Sequence, residues 1–165
     1  MVDLKNSSPV EPCAEPLALD LIERMFFGYR DFVGIADESL EKIGYGRAHH
    51  RVLHFVDRNP GLTVGDLLQI LKVTKQGVAR VLKTLVDDGL ITVSQGTQDR
   101  REKCLTTTAE GHRLARTIAA IQTEKINAAL NSAGPANREA IAAFLAALVD
   151  EAERAAVLSR IAGGV

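Results

Sequence analysis

Residues 63–85 constrain the fold more than any other stretch of this chain. Thr63 precedes Val64-Gly65-Asp66, so its hydroxyl and the Asp66 carboxylate are spaced to cap a helix start reciprocally. That helix is brief: Lys72-Val73 follows Leu71, and Thr74 then offers a second N-cap. The next helix carries Val78, Val81, Leu82 and Leu85 along one side and closes on Gly89, which suits a left-handed C-terminal position. Two short helices joined by a tight turn have the proportions of a helix-turn-helix. Residues 91–94 and 102–106 read as two short strands around the polar loop 95–101, which adds a hairpin, or wing.

Longer amphipathic helices flank this block. Between 17 and 43 the apolar positions Leu21, Ile22, Met25, Tyr29, Phe32, Val33, Ala36, Leu40 and Ile43 recur at threes and fours, until Gly44 and Gly46 end the pattern. A second helix is predicted over 47–58, with Ala48, Val52, Leu53 and Val56 inward, before the turn signal Asn59-Pro60-Gly61. Thr108 opens a helix over 109–130, and after Gly134-Pro135 a last Ala-rich helix is expected over 136–161. Residues 1–16, with Pro9, Pro12 and Pro16 and no helical period, read as a flexible tail. The expected fold is mainly α with a small β-hairpin wing. An aromatic content of 4% agrees, since strand-rich chains favour aromatic and β-branched residues.

The formal charge of −1 over 165 residues hides a local excess. Residues 69–104 hold 7 basic and 4 acidic side chains, whereas residues 1–68 hold 7 and 11. On the helix after Thr74, Lys75, Gln76, Ala79, Arg80 and Lys83 lie opposite the apolar side. Gln76 and Arg80 are of the types that read base edges by paired hydrogen bonds, Lys75 and Lys83 neutralise phosphates, and Thr74 adds a phosphate contact at the helix N-terminus. Thr63, Arg100 and Lys103 complete the expected contact set. The competing account is a solvated basic face on an ordinary helical bundle. At the wing tip, Asp99 stands two residues from Arg101, so the carboxylate can brace the guanidinium for entry into a narrow minor groove.

In LTVGDLLQIL-KVTKQGVARVLKTLVDDGLI, then DRR at 99–101, then Thr108 and Gly111, the chain resembles the MarR family of winged-helix regulators. The likeness extends over about residues 17–161. It implies that the helix over 74–88 enters the major groove, that Asp99 positions Arg101, and that the first and last helices form a homodimer. It departs from the family pattern at Thr107, where a leucine is usual, and at Leu68, where a smaller residue is common. The implied organisation is a tail (1–16), an N-terminal dimerisation helix (17–46), a winged helix-turn-helix DNA-binding domain (47–108) and C-terminal dimerisation helices (109–165). The implied function is a cytoplasmic, ligand-responsive repressor that binds double-stranded DNA at a pseudo-palindromic operator.

Three long apolar-faced helices have too little of their own domain to cover them, which independently suggests burial in a two-fold partner. Six of the seven aromatic residues and three of the four histidines fall between positions 26 and 55. Tyr29, Phe32, His50 and His54 are candidates to line a site for a small aromatic or phenolic effector, or else form the core where the first two helices cross.

Other chemistries compete with this one. His50 and His54, four apart, with His112, would make a zinc-responsive regulator; Cys13, between Glu11 and Glu15, would make a thiol-responsive one. A winged helix that holds another protein instead of DNA is a third alternative. Arg51 follows His50 where a HExxH peptidase needs glutamate, and no P-loop, GxGxxG or GxSxG occurs, so no enzyme and no cofactor is expected. Cys13 and Cys104 lack CxxC spacing, and the longest apolar run, 140–149, rises only about 15 Å as a helix, too short for a membrane span.

Overall fold

The computed structural model describes residues 17–96 and 101–164. Seven α-helices and three short strands follow one another among them: α1 (Leu19–Glu41), α2 (Arg47–Arg58), β1 (Leu62–Thr63), α3 (Val64–Leu71), α4 (Lys75–Asp87), β2 (Ile91–Gln95), β3 (Lys103–Thr107), α5 (Ala109–Ala133), α6 (Arg138–Ala147) and α7 (Glu151–Gly163), with a 3-10 turn at Pro135–Asn137. The fold is mainly α with a small antiparallel sheet, as expected. The chain divides into two compact units between Asp31 and Phe32. In the N-terminal unit, every described residue is exposed, including Leu21, Ile22, Met25 and Phe26.

In the second unit the capping signals are satisfied. Thr63 Oγ1 accepts from the Asp66 N–H at 3.0 Å and donates to Asp66 Oδ2 at 2.7 Å, which fixes the start of α3. Thr74 Oγ1 accepts from the Gly77 N–H at 3.2 Å and starts α4. The turn between them places Lys72 in the left-handed region, at φ 49°. Gly89 takes φ +72°, and the chain reverses there into β2.

The sheet has the order β1-β3-β2. Ile91 pairs with Thr107 and Gln95 with Lys103, so β2 and β3 form the wing hairpin. The strand β1 was not expected; its two residues, Leu62 and Thr63, pair with Leu105 and Cys104. Two residues are too few to show alternation in a sequence. The core gathers Val52, Leu53 and Val56 of α2, Leu67 of α3, Val78 and Leu85 of α4, and Leu90, Ile91 and Leu105 around the sheet. Ala48, expected inward, is exposed. A smaller cluster joins Ala36 and Leu40 to Ile118 of α5.

The last helix is not continuous, contrary to expectation. α6 ends at Ala147 and α7 begins at Glu151. Asp150 Oδ1 accepts from the Ala152 N–H at 3.0 Å, which caps α7. The Arg154 guanidinium donates to the carbonyls of Ala147 and Val149, both at 3.1 Å, and so satisfies acceptors that a broken helix leaves open. No helix among the described residues is long and apolar enough to cross a membrane.

Candidate nucleic-acid interface

Packing decides which side of α4 faces outward. Val78 and Leu85 are buried and Val81, Leu82 and Val86 pack against the same core, so the opposite side is left to solvent. Lys75, Gln76, Ala79, Arg80 and Lys83 are all exposed. Among the described residues, the side chains of Lys75, Gln76 and Arg80 have no hydrogen-bond or ion-pair partner, while Lys83 pairs with Asp87 one turn on. The first turn of α4 carries no acidic residue, so its N-terminal N–H groups and the helix dipole present an uncompensated positive end. Thr74 is exposed beside them, and Thr63 is half-buried in its capping role.

The far end of α4 is tied to the start of α2. The Tyr45 hydroxyl donates to Asp88 Oδ2 at 2.7 Å, and the Tyr45 ring lies 5.0 Å from that of His49. Burial, and then the bond to the Asp88 carboxylate, push the Tyr45 phenol up to about 12, so this donor stays protonated throughout the ordinary pH range.

Beyond α4, the wing hairpin closes with Gly96 N–H donating to the Glu102 carbonyl at 3.0 Å. Arg101 and Lys103 are exposed on the returning limb. Asp99 and Arg100 lie outside the described residues, and with them the bracing expected between Asp99 and Arg101; so does Cys13. At the wing base, Thr107 Oγ1 donates to Asp57 Oδ1 at 3.0 Å, and His112 Nδ1 lies 2.8 Å from the same oxygen. The Asp57 side chain is 8% exposed, so these partners compensate a carboxylate withdrawn from water. Thr107 thus joins β3 to α2 and α5 through a polar lock.

That lock engages His112, a member of the alternative zinc set, with Asp57. Among the described residues, no three His, Cys, Asp or Glu side chains converge to hold a metal ion. The His50 and His54 rings lie 6.1 Å apart, and His54 stands edge-on to Phe55 at 5.1 Å. Of Phe32, His50 and His54, only His54 lines the cavity of about 840 Å³ formed by α2, α3 and α7. Tyr29 is exposed in the N-terminal unit. Nothing in the sequence signalled this cavity, because its walls come from segments about a hundred positions apart.

The two histidines make stability depend on pH. Burial lowers His50, helped by His54 and Arg51 against the opposing Asp37; burial and then Arg58 lower His54 against Asp57. The folded chain therefore binds fewer protons than the unfolded chain below the ordinary value of 6.5. The melting temperature is expected to be level from about pH 7 to 8 and to fall as pH drops below about 6.5. His54→Gln should flatten that fall, and an unchanged slope in the variant would remove His54 from the account.

Residues 43–102 match the family model described as MarR family. The HTH-type transcriptional regulator PetP of Rhodobacter capsulatus is 46% identical over 136 residues, which cover 81% of this chain and 80% of PetP. The chain belongs to the MarR family. As a member it is a DNA-binding transcriptional regulator of winged-helix fold. Solved structures agree on the fold: Staphylococcus aureus MepR in a DNA-binding conformation (TM-score 0.67, 22% identity, 81% of this chain and 97% of MepR) and a SlyA-like regulator from Listeria monocytogenes (TM-score 0.65, 21% identity, 79% and 85%). The family match ends at Glu102, so it includes β1, α3, α4 and β2 but not the returning wing strand.

Proposed function

We propose that this chain is a sequence-specific repressor that acts as a homodimer on a pseudo-palindromic operator in the cytoplasm and is released by a small aromatic or phenolic effector. The observation that carries the reading is the outward face of α4, where Lys75, Gln76 and Arg80 have no partner among the described residues and no carboxylate shares the first turn. Side chains so placed keep their full donor capacity for a groove lined with acceptors. Thr63, Thr74, Ala79, Lys83, Arg100, Arg101 and Lys103 complete the contact surface, with Asp99 bracing Arg101. Tyr29, Phe32, His50 and His54 contribute to effector binding. The domain roles are those expected above: 47–108 binds DNA, while 17–46 and 109–165 pair the subunits.

Exposed apolar surface supports pairing. Large apolar side chains of α1 stand half or more exposed, and so do Phe144, Leu145 and Leu148 at the end of the chain.

Selection of bound duplexes from a random pool tests the whole reading. A two-fold symmetric consensus is expected; an asymmetric consensus, or none, overturns it. On the selected site, Arg80→Ala should weaken binding by about 1–3 kcal/mol and relax sequence preference, because a guanidinium reads base edges. Lys83→Ala should weaken selected and random duplexes alike and lower the salt slope by about 1. Equal losses on both duplexes for Arg80→Ala would assign Arg80 to the phosphates instead.

A further inference from the structure

The cavity between α2, α3 and α7 has a chemistry that DNA binding does not use. Its volume is about 840 Å³, within the range of small-molecule sites. Leu68 and Ile70 of α3 face Ala156, Val157 and Ile161 of α7 across it, and Phe55 of α2 is its one carbocyclic aromatic. The apolar part of the lining is therefore mostly aliphatic, with little surface on which a flat ring would stack.

Its polar side is cationic. Arg58, Lys72 and Arg160 line it against a single carboxylate, Glu153, which pairs with Lys72 at 2.8 Å. Arg58 Nη2 donates to the Ile161 carbonyl at 3.3 Å, which brings this guanidinium to the end of α7. Arg160 Nη1 is buried and has no hydrogen-bond partner among the described residues. A withdrawn guanidinium N–H without an acceptor is costly, and a ligand oxygen that reaches it relieves that cost. The positive field is felt by His54, which Arg58 helps to hold neutral.

We infer that this cavity is a binding site for an aliphatic carboxylate, its head held by Arg160 and Arg58 and its chain laid against Leu68, Ile70, Val157 and Ile161. The ligand class differs from the aromatic or phenolic effector proposed above, and the inference does not depend on DNA binding. An occupant here rests on α3, the first helix of the helix-turn-helix, and on the Lys72 turn that leads into α4.

Calorimetric titration of the full chain with monomeric dodecanoate, without DNA, tests it. Dodecanoate is expected to bind saturably, and dodecanol and dodecylamine at least tenfold more weakly. Arg160→Gln should reduce dodecanoate affinity at least tenfold, Arg160→Lys should restore part of it, and Val157→Trp should abolish binding by filling the cavity. Each variant's melting curve distinguishes lost binding from lost folding. Dodecanoate should also raise the His54 titration midpoint seen by NMR, since the carboxylate offsets the charge of Arg58, whereas dodecylamine should not. Equal binding of dodecanoate and dodecanol, an unchanged affinity in folded Arg160→Gln, or displacement of dodecanoate by equimolar salicylate would each overturn the assignment. None of these results bears on the α4 face, so the DNA-binding reading and this one fail separately.

Discussion

Gly111→Ala should destabilise the protein by about 3 kcal/mol, at the upper end of overpacking costs, and lower the melting temperature by roughly 6–12 °C for a chain of this size. In an ordinary helix the same change gains up to about 1 kcal/mol, so the expected sign is reversed by packing alone. A Cβ on Gly111 would fall well inside contact distance of the Leu90 carbonyl oxygen and 2.9 Å from its carbon. Both are backbone atoms, and neither can turn aside. The Leu90 carbonyl accepts from the Thr108 N–H at 3.0 Å, and the Leu90 N–H donates to the Leu85 carbonyl at 2.9 Å. Leu90 and Ile91 are themselves buried in the core. The clash thus loads the junction where α4 passes into the wing and α5 begins. Thermal and urea unfolding measure the loss, and a variant as stable as the parent would mean that α5 does not seat on Leu90.

Gly111 also shows how much of this fold was legible in the sequence. Thr108 marked a helix start, and its Oγ1 accepts from the N–H of Gly111, three residues on, at 3.1 Å. That spacing gave no sign that the missing Cβ makes room for a backbone 21 positions earlier. The same division runs through the chain. Caps at Thr63 and Thr74, the Gly89 reversal and the outward cations of α4 depend on neighbours within one or two helical turns, so pattern alone located them. A partner of Thr107 lies 50 positions away at Asp57, and a partner of Arg58 lies 103 positions away at Ile161. Local periodicity carries no trace of such pairs. The break before α7 was hidden for another reason: the apolar run over 140–149 is a good helix pattern up to its last residue. Only the capping carboxylate of Asp150 and the reach of Arg154 to two carbonyls turn it into a helix end.

The largest loss of operator binding should come from a change far from any DNA contact. Ile22 and Met25 are spaced to share one side of α1, and both are more than half exposed in the single chain. Covering side chains of this size stabilises by about 1.5–3 kcal/mol each, so leaving the row bare is costly and pairing it with a second copy recovers that energy. Ile22→Asp with Met25→Asp would instead bury four carboxylates across a two-fold axis, a desolvation cost of several kcal/mol per ion. Sedimentation should then show a monomer, against the dimer expected of the parent. Operator affinity should fall by about 10²–10⁴-fold, because the second recognition helix no longer binds as part of the same molecule. Affinity per chain for random duplexes should change little, since the α4 cations are untouched. Helical circular dichroism separates this outcome from unfolding: the two core clusters among the described residues contain nothing before Ala36, so the winged helix has no packing to lose. A double variant that remains dimeric and keeps its operator affinity would place the subunit interface elsewhere and leave the apolar row of α1 without a function.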